Sequence, residues 1–143
     1  MSYTKWFDAH ATKHKKIVER LLEQGYTDRD IVDYFDFDNM VINEVEFCPL
    51  YKDNKKCHDM DDLNCYLCAC VNFRFNDEGL SNSNNLKILS RCDINNGEKF
   101  VGEDFIHQDC STCSVPHDRE YVIKNFSLVW GEMMKNCKVI IKK

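Results

Sequence analysis

The spacing of apolar positions changes along the chain, and those changes predict its elements. Ile17, Val18, Leu21 and Leu22 recur at i, i+1, i+4 and i+5, which lays them along one helix face. Gly25 follows as a natural stop for that helix. Thr27 opens a second helix, and Asp30, three residues on, completes a capping box with Asp where Glu or Gln is usual. Ile31, Val32, Tyr34 and Phe35 supply its apolar face. Beyond Asn43 large aliphatic residues thin out. Strand-like alternation returns in Asn72-Phe73-Arg74-Phe75, and residues 86–89 form a short apolar run suited to a strand. Residues 76–85 read as a polar loop. Asn95-Asn96-Gly97 is a tight-turn signal, so residues 92–94 and 99–101 are expected to pair as a hairpin. A final helix is expected from Asp118, with Tyr121, Val122, Phe126, Val129, Trp130, Met133 and Met134 on a broad apolar face. Val139-Ile140-Ile141 reads as a short strand or an unstructured end.

The pattern predicts an α+β fold: a small irregular cysteine-rich core with short strands, stapled by metal and flanked by N- and C-terminal helices. We read residues 1–143 as a single domain, with a helical segment over 1–42, a cysteine-rich core over 43–117 and a helix and tail over 118–143. The stretch between Cys48 and Cys92 has little apolar area to bury and needs cross-links to stay folded.

A net charge of −5 argues against general phosphate binding. The basic run Lys13, His14, Lys15, Lys16 and Arg20 reads as a solvated helix face. Two short helices joined by Gly-Tyr-Thr superficially suggest a helix-turn-helix. The second one carries Asp28, Asp30, Asp33, Asp36 and Asp38, which DNA would repel, so no nucleic-acid partner is expected. No apolar run has the length of a signal peptide or a membrane span, so the expected location is the cytoplasm, with no membrane partner.

The candidate chemistry lies in the cysteines. Eight of the nine fall between Cys48 and Cys113, with Cys137 apart, and two close groups dominate: Cys65-x-x-Cys68-x-Cys70 and Cys110-x-x-Cys113-x-x-x-His117. A reducing cytosol, an odd cysteine count and two-residue spacings favour metal over disulfides. A Cys-x-x-Cys turn aims two sulfurs at one ion, and two such turns can close a tetrahedral zinc site. Cys65/Cys68 and Cys110/Cys113 supply two turns for one site. Cys48, Cys57, Cys70 and Cys92, with His58 and His117 as spare nitrogen ligands, remain for a second, and the two sites would interleave around Cys70. The candidate ligands are therefore Cys48, Cys57, Cys65, Cys68, Cys70, Cys92, Cys110, Cys113 and His117.

Iron–sulfur is the alternative, because four thiolates also hold a cubane cluster and the first group resembles the clustered ligands of ferredoxins. Thioredoxin-type redox chemistry needs a βαβ context that is not evident here. His58, next to Cys57, is expected to be a hydrogen-bond partner, and His107 to orient a sulfur. His10 and His14, at i and i+4, read as a solvated pair, and Asp59, Asp61 and Asp62 as a solvated loop. Cys137 reads as an ordinary thiol in the last helix. No Gly-rich phosphate loop or Ser-centred nucleophile motif is present.

Cys57-His58, then Asn64-Cys65-Tyr66-Leu67-Cys68-Ala69-Cys70, then Asp109-Cys110-Ser111-Thr112-Cys113-Ser114-Val115-Pro116-His117 together resemble the cysteine-rich small domain family of bacteria and archaea. That family looks like a presumed metal-binding module, sometimes found beside or fused to cobalamin-biosynthesis enzymes. The resemblance covers residues 47–121. It implies metal ligation by Cys48, Cys57, Cys65, Cys68, Cys70, Cys110 and Cys113, with Cys92 as the looser match. Val71 stands where the family usually has proline. The helical ends look like additions, a pattern similar to stand-alone members in epsilon-class proteobacteria.

The function expected from all this is metal binding, with zinc as the metal and a structural or protein-interaction role toward a protein partner. The alternative is an iron–sulfur protein for electron transfer or redox sensing. Catalysis is disfavoured, because thiolate-saturated sites leave no vacancy for substrate.

Overall fold

The computed structural model describes residues 3–81 and 86–137. Helix α1 (Tyr3–Glu23) buries Phe7, His10, His14, Ile17, Val18 and Leu21, a stripe at three- and four-residue intervals. Its apolar face is therefore longer than the predicted one, and Leu22, placed on that face by spacing alone, is 42% exposed. Gly25 ends the helix at φ 85°. Its N–H donates to the Leu22 carbonyl and the Tyr26 N–H to the Leu21 carbonyl, the paired bonds of a Schellman stop.

Helix α2 (Asp28–Tyr34) begins with the predicted capping box. The Asp30 N–H donates to Thr27 Oγ1 at 3.2 Å, and the Thr27 N–H donates to Asp30 Oδ2 at 3.0 Å. A third helix, α3 (Phe37–Asn43), follows where none was predicted, and buries Phe37 and Met40.

The core is aromatic. Phe35 meets His14 at 4.9 Å and Tyr66 at 4.8 Å between ring centroids, and Phe7 meets Trp130 at 4.8 Å. Tyr51, Leu63, Tyr66, Leu67 and Phe75 all belong to it. The cysteine-rich stretch thus contributes large buried side chains, contrary to the expectation that it buries little. Its apolar residues are few, but five of them are buried: Tyr51, Leu63, Tyr66, Leu67 and Phe75.

Strands β1 (Phe73–Ser81), β2 (Lys87–Cys92), β3 (Glu98–Val101) and β4 (Phe105–Asp109) form one sheet in the order β1-β2-β4-β3. The polar loop expected over 76–85 is corrected in part, because β1 runs through to Ser81 with a register shift between Phe75 and Leu80. Residues 82–85 lie outside the described residues. The expected hairpin between 92–94 and 99–101 is also corrected. β3 pairs antiparallel with β4, and β4 lies between β3 and β2, to which it is parallel. A turn does form here but slightly earlier, closed by the Asn95 N–H donating to the Cys92 carbonyl at 3.2 Å, with Asn95 at φ 53° and Gly97 at φ 73°. It packs on β4 instead of folding β3 back on β2: Gln108 Nε2 donates to the Asn96 carbonyl at 2.7 Å.

The single C-terminal helix resolves into α4 (Arg119–Lys124), capped by the Asp118 carboxylate, and α5 (Trp130–Met133). Val122, Trp130 and Met134 are buried, while Val129 between the two helices is 56% exposed. The Val139-Ile140-Ile141 expectation lies outside the described residues. The fold is α+β, with helices at both ends and the cysteine loops between them. Among the described residues no helix is long and apolar enough to cross a membrane.

Candidate metal centre

All nine cysteines are free thiols. Both Cys-x-x-Cys segments fold as the spacing predicts: the Cys68 N–H donates to the Cys65 carbonyl at 3.2 Å, and the Cys113 N–H to the Cys110 carbonyl at 3.0 Å. Each turn presents its pair of sulfurs locally. The two pairs keep different company.

The charges felt by Cys65 and Cys68 include those of Cys48 and Cys57. Burial pushes the Cys65 thiol up to about 12, with Cys57 and Cys48 adding to the rise and a hydrogen bond from Tyr51 opposing it. Burial likewise pushes Cys68 up, reinforced by Cys65, Cys48 and Cys57. Cys57 rises to about 11, first by desolvation and then by Cys48. Tyr51 donates its hydroxyl hydrogen to Cys65 Sγ at 2.9 Å.

A different set surrounds the second turn. Desolvation raises Cys110 to about 11, helped by Cys70, Cys113 and Cys92. It raises Cys70 to about 11, opposed by the Asn72 N–H and helped by Cys92 and Cys113. Cys65 and Cys68 thus feel Cys48 and Cys57, while Cys110 and Cys70 feel Cys92 and Cys113, although among the described residues neither set brings three sulfurs within 4.8 Å of one another.

Between Cys68 and Cys70 the backbone bends at Ala69 and Cys70, where φ is 90° and 69°. Two successive non-glycine residues in this region cost roughly 1–2 kcal/mol each. In an extended strand Cys68 and Cys70 would share a face. The positive-φ pair breaks that alternation.

Cys57, His58 and His117 come closest together. Their ligand atoms all lie within 4.8 Å of one another, and among the described residues no other group of three or more His, Cys, Asp or Glu does so. Asp59, Asp61 and Asp62 thus form no such cluster. His117 Nδ1 donates to the Asn64 carbonyl at 2.8 Å, leaving Nε2 3.4 Å from Cys57 Sγ. His58 Nε2 donates to the Cys110 carbonyl at 2.9 Å, leaving Nδ1 3.2 Å from the same sulfur. A carbonyl only accepts, so each ring nitrogen facing one carries a hydrogen, and in a neutral ring the nitrogen facing Cys57 carries a lone pair. One thiol hydrogen cannot satisfy both lone pairs. A cation among the three would satisfy both and draw the sulfur to its thiolate form. Burial holds His117 below the usual histidine range, which keeps its lone pair available. His58 was predicted as a hydrogen-bond partner; it fills that role toward Cys110 and also faces the sulfur.

Other histidines differ from expectation. His107 Nδ1 bonds Ser90 Oγ at 2.9 Å inside the sheet and does not orient a sulfur. His10 and His14 are not a solvated pair: they are 3% and 0% exposed and packed among Trp6, Phe35, Phe47, Tyr66 and Trp130. The aromatic stripe on either side of them decides their burial. Among the described residues, His10 Nε2, His14 Nδ1 and Trp130 Nε1 find no hydrogen-bond partner. Cys137 lies just beyond α5 as a fully buried thiol, with its sulfur 3.8 Å from Met134 Sδ.

Sequence reasoning missed the residues that serve the sulfurs without being ligand types. Tyr51 donates to Cys65. The Asn72 N–H donates to Cys70 Sγ at 3.4 Å, the Asn96 N–H to Cys92 Sγ at 3.4 Å, and Asn96 Nδ2 to Cys113 Sγ at 3.1 Å. The only available signal was their nearness to a cysteine or a turn. Comparison of the chain with models of known families, with curated proteins and with solved structures finds no match.

Proposed function

We propose that this is a cytoplasmic zinc-binding protein whose metal holds the cysteine loops in shape and so builds a surface for a protein partner. In this reading Cys57 binds with His58 or His117, beside Cys48, Cys65 and Cys68. The observation that carries it is the convergence of two imidazole lone pairs on one cysteine sulfur, each fixed by a carbonyl behind the ring. Mixed sulfur and nitrogen donors suit tetrahedral zinc, whereas cubane iron–sulfur clusters take thiolates. Nine unpaired thiols fit a reducing compartment. The role is structural: a cation would bind the thiolates, with Tyr51 supplying a hydrogen bond to Cys65, and metal binding would be coupled to folding. The edge strand β3, with Phe100 and Val101 exposed, is the surface such a scaffold would offer. Membership of the cysteine-rich small domain family is part of the same proposal, on the motif spacing given above.

Elemental analysis of anaerobically purified protein tests it. Zinc in the wild-type chain, reduced in Cys65→Ser and retained in Cys137→Ser, is the expected result. Metal-free protein that is fully folded, or Cys65→Ser with wild-type metal content, overturns the ligand assignment. A brown protein with iron and acid-labile sulfide as its sole metal overturns zinc.

A further inference from the structure

We infer that Cys70, Cys92, Cys110 and Cys113 form a second metal centre of their own, an all-thiolate site for a thiophilic metal that shares no ligand with the group around Cys57. The inference rests on the metal-binding reading above and extends it from one centre to two.

Four observations carry it. The four cysteines come from separate segments, the 69–70 bend, the end of β2 and the 110–113 turn, and line one cavity of about 280 Å³. Ala69 and Cys70 have positive φ, which breaks the extended alternation that would otherwise put the Cys68 and Cys70 sulfurs on one side. Three N–H groups point at sulfurs of this set, from Asn72 to Cys70 and from Asn96 to Cys92 and Cys113. Such donors favour thiolate over thiol, as the outer partners of metal ligands do. The imidazoles at the cavity wall are engaged elsewhere: His58 and His117 each give one nitrogen to a carbonyl and turn the other toward Cys57. This leaves the second set with sulfur donors alone, suited to Zn²⁺ or to iron held with sulfide. Cys137 is close, but its sulfur faces the Cys70 carbonyl at 3.5 Å and Met134, so it is not a fifth member.

The chain expressed with both zinc and iron supplied, and purified anaerobically, tests this by metal content per chain. Wild type is expected to hold metal at two centres. The Cys92→Ser/Cys113→Ser variant should lose the second centre's metal, whether zinc or iron with sulfide, and keep the zinc of the first. The Cys65→Ser/Cys68→Ser variant should do the reverse. Stepwise chelation of wild type, with alkylation of freed thiols read by mass spectrometry, removes the dependence on variant folding. Cys70, Cys92, Cys110 and Cys113 should become reactive together, in a step separate from Cys48, Cys65 and Cys68. Release of Cys65 in the same step as Cys110, or of all eight in one step, overturns the two-centre arrangement while leaving metal binding intact. Absence of any metal from folded wild type overturns both readings.

Discussion

Asn64 and His117 hold each other twice: the Asn64 N–H donates to the His117 carbonyl at 3.0 Å, and His117 Nδ1 donates to the Asn64 carbonyl at 2.8 Å. This reciprocal pair ties the chain just before Cys65 to the short 3₁₀ turn at Val115–His117. It also fixes which nitrogen of His117 faces Cys57. Tertiary contact of this kind turns two distant cysteine segments into neighbours.

His117→Ala therefore removes a nitrogen donor together with the clamp. Zinc affinity, measured by competition with a chromophoric chelator, is expected to fall by at least about tenfold, the lower range for loss of groups around a metal. An unchanged affinity would make His117 a packing residue with no part in metal binding.

Tyr51→Phe isolates one hydrogen bond to sulfur. Tyr51 is buried, stacks at 6.3 Å on Phe47 and donates to Cys65 Sγ, so the change keeps the ring and removes the donor. A bond to a charged acceptor contributes about 1.5–3 kcal/mol, and denaturation of the metal-loaded protein should show a loss in that range. A loss below about 0.5 kcal/mol would mean that the Cys65 sulfur is not held as a thiolate.

Much of the helical fold is legible in the sequence, because local rules decide it. Thr27 and Asp30 form their capping box and Gly25 makes its stop without help from distant residues. The two Cys-x-x-Cys turns are equally local. What the sequence hides is set by tertiary packing. The Asn95-Asn96-Gly97 turn is readable as a turn, yet its docking on Gln108, which lets β4 separate β2 from β3, is not. Ala69 and Cys70 both take positive φ in the middle of the first cysteine group, and neither residue type announces that conformation. His10 and His14 carry a polar pattern that the aromatic residues around them override.

Gly97→Ala probes the turn that aims Asn96. Gly97 sits at φ 73°, and a Cβ there would lie 2.8 Å from the Asp109 carbonyl oxygen, a backbone atom with little freedom to move. The left-handed conformation and the clash together should cost about 2–3 kcal/mol. Chemical denaturation checks the figure. The same variant should weaken metal retention, because the displaced turn carries both Asn96 donors to Cys92 and Cys113. Wild-type stability would show that the turn relaxes freely and does not position those donors.

Acid sensitivity follows from the buried imidazoles of α1. Desolvation lowers His10 to about 4, with Lys13 adding to the effect. Desolvation lowers His14 to about 3, with His10 adding and the Tyr66 carbonyl opposing. Both are neutral in the folded and unfolded chains above the ordinary histidine value near 6.5. As pH falls below that value, the unfolded chain takes up protons that the folded chain refuses, so stability declines until pH nears 4 for His10 and 3 for His14. Each histidine contributes a slope of up to about 1.4 kcal/mol per pH unit in that window. Metal release in acid also destabilises the fold, but it acts on wild type and on His10→Phe alike. The difference between the two chains isolates His10. Urea denaturation from pH 7 to pH 4.5 should show His10→Phe gaining on wild type by about 2 kcal/mol at pH 5 relative to pH 7. Parallel curves would mean that His10 is protonated within the fold, and that the aromatic cage around it is open to water.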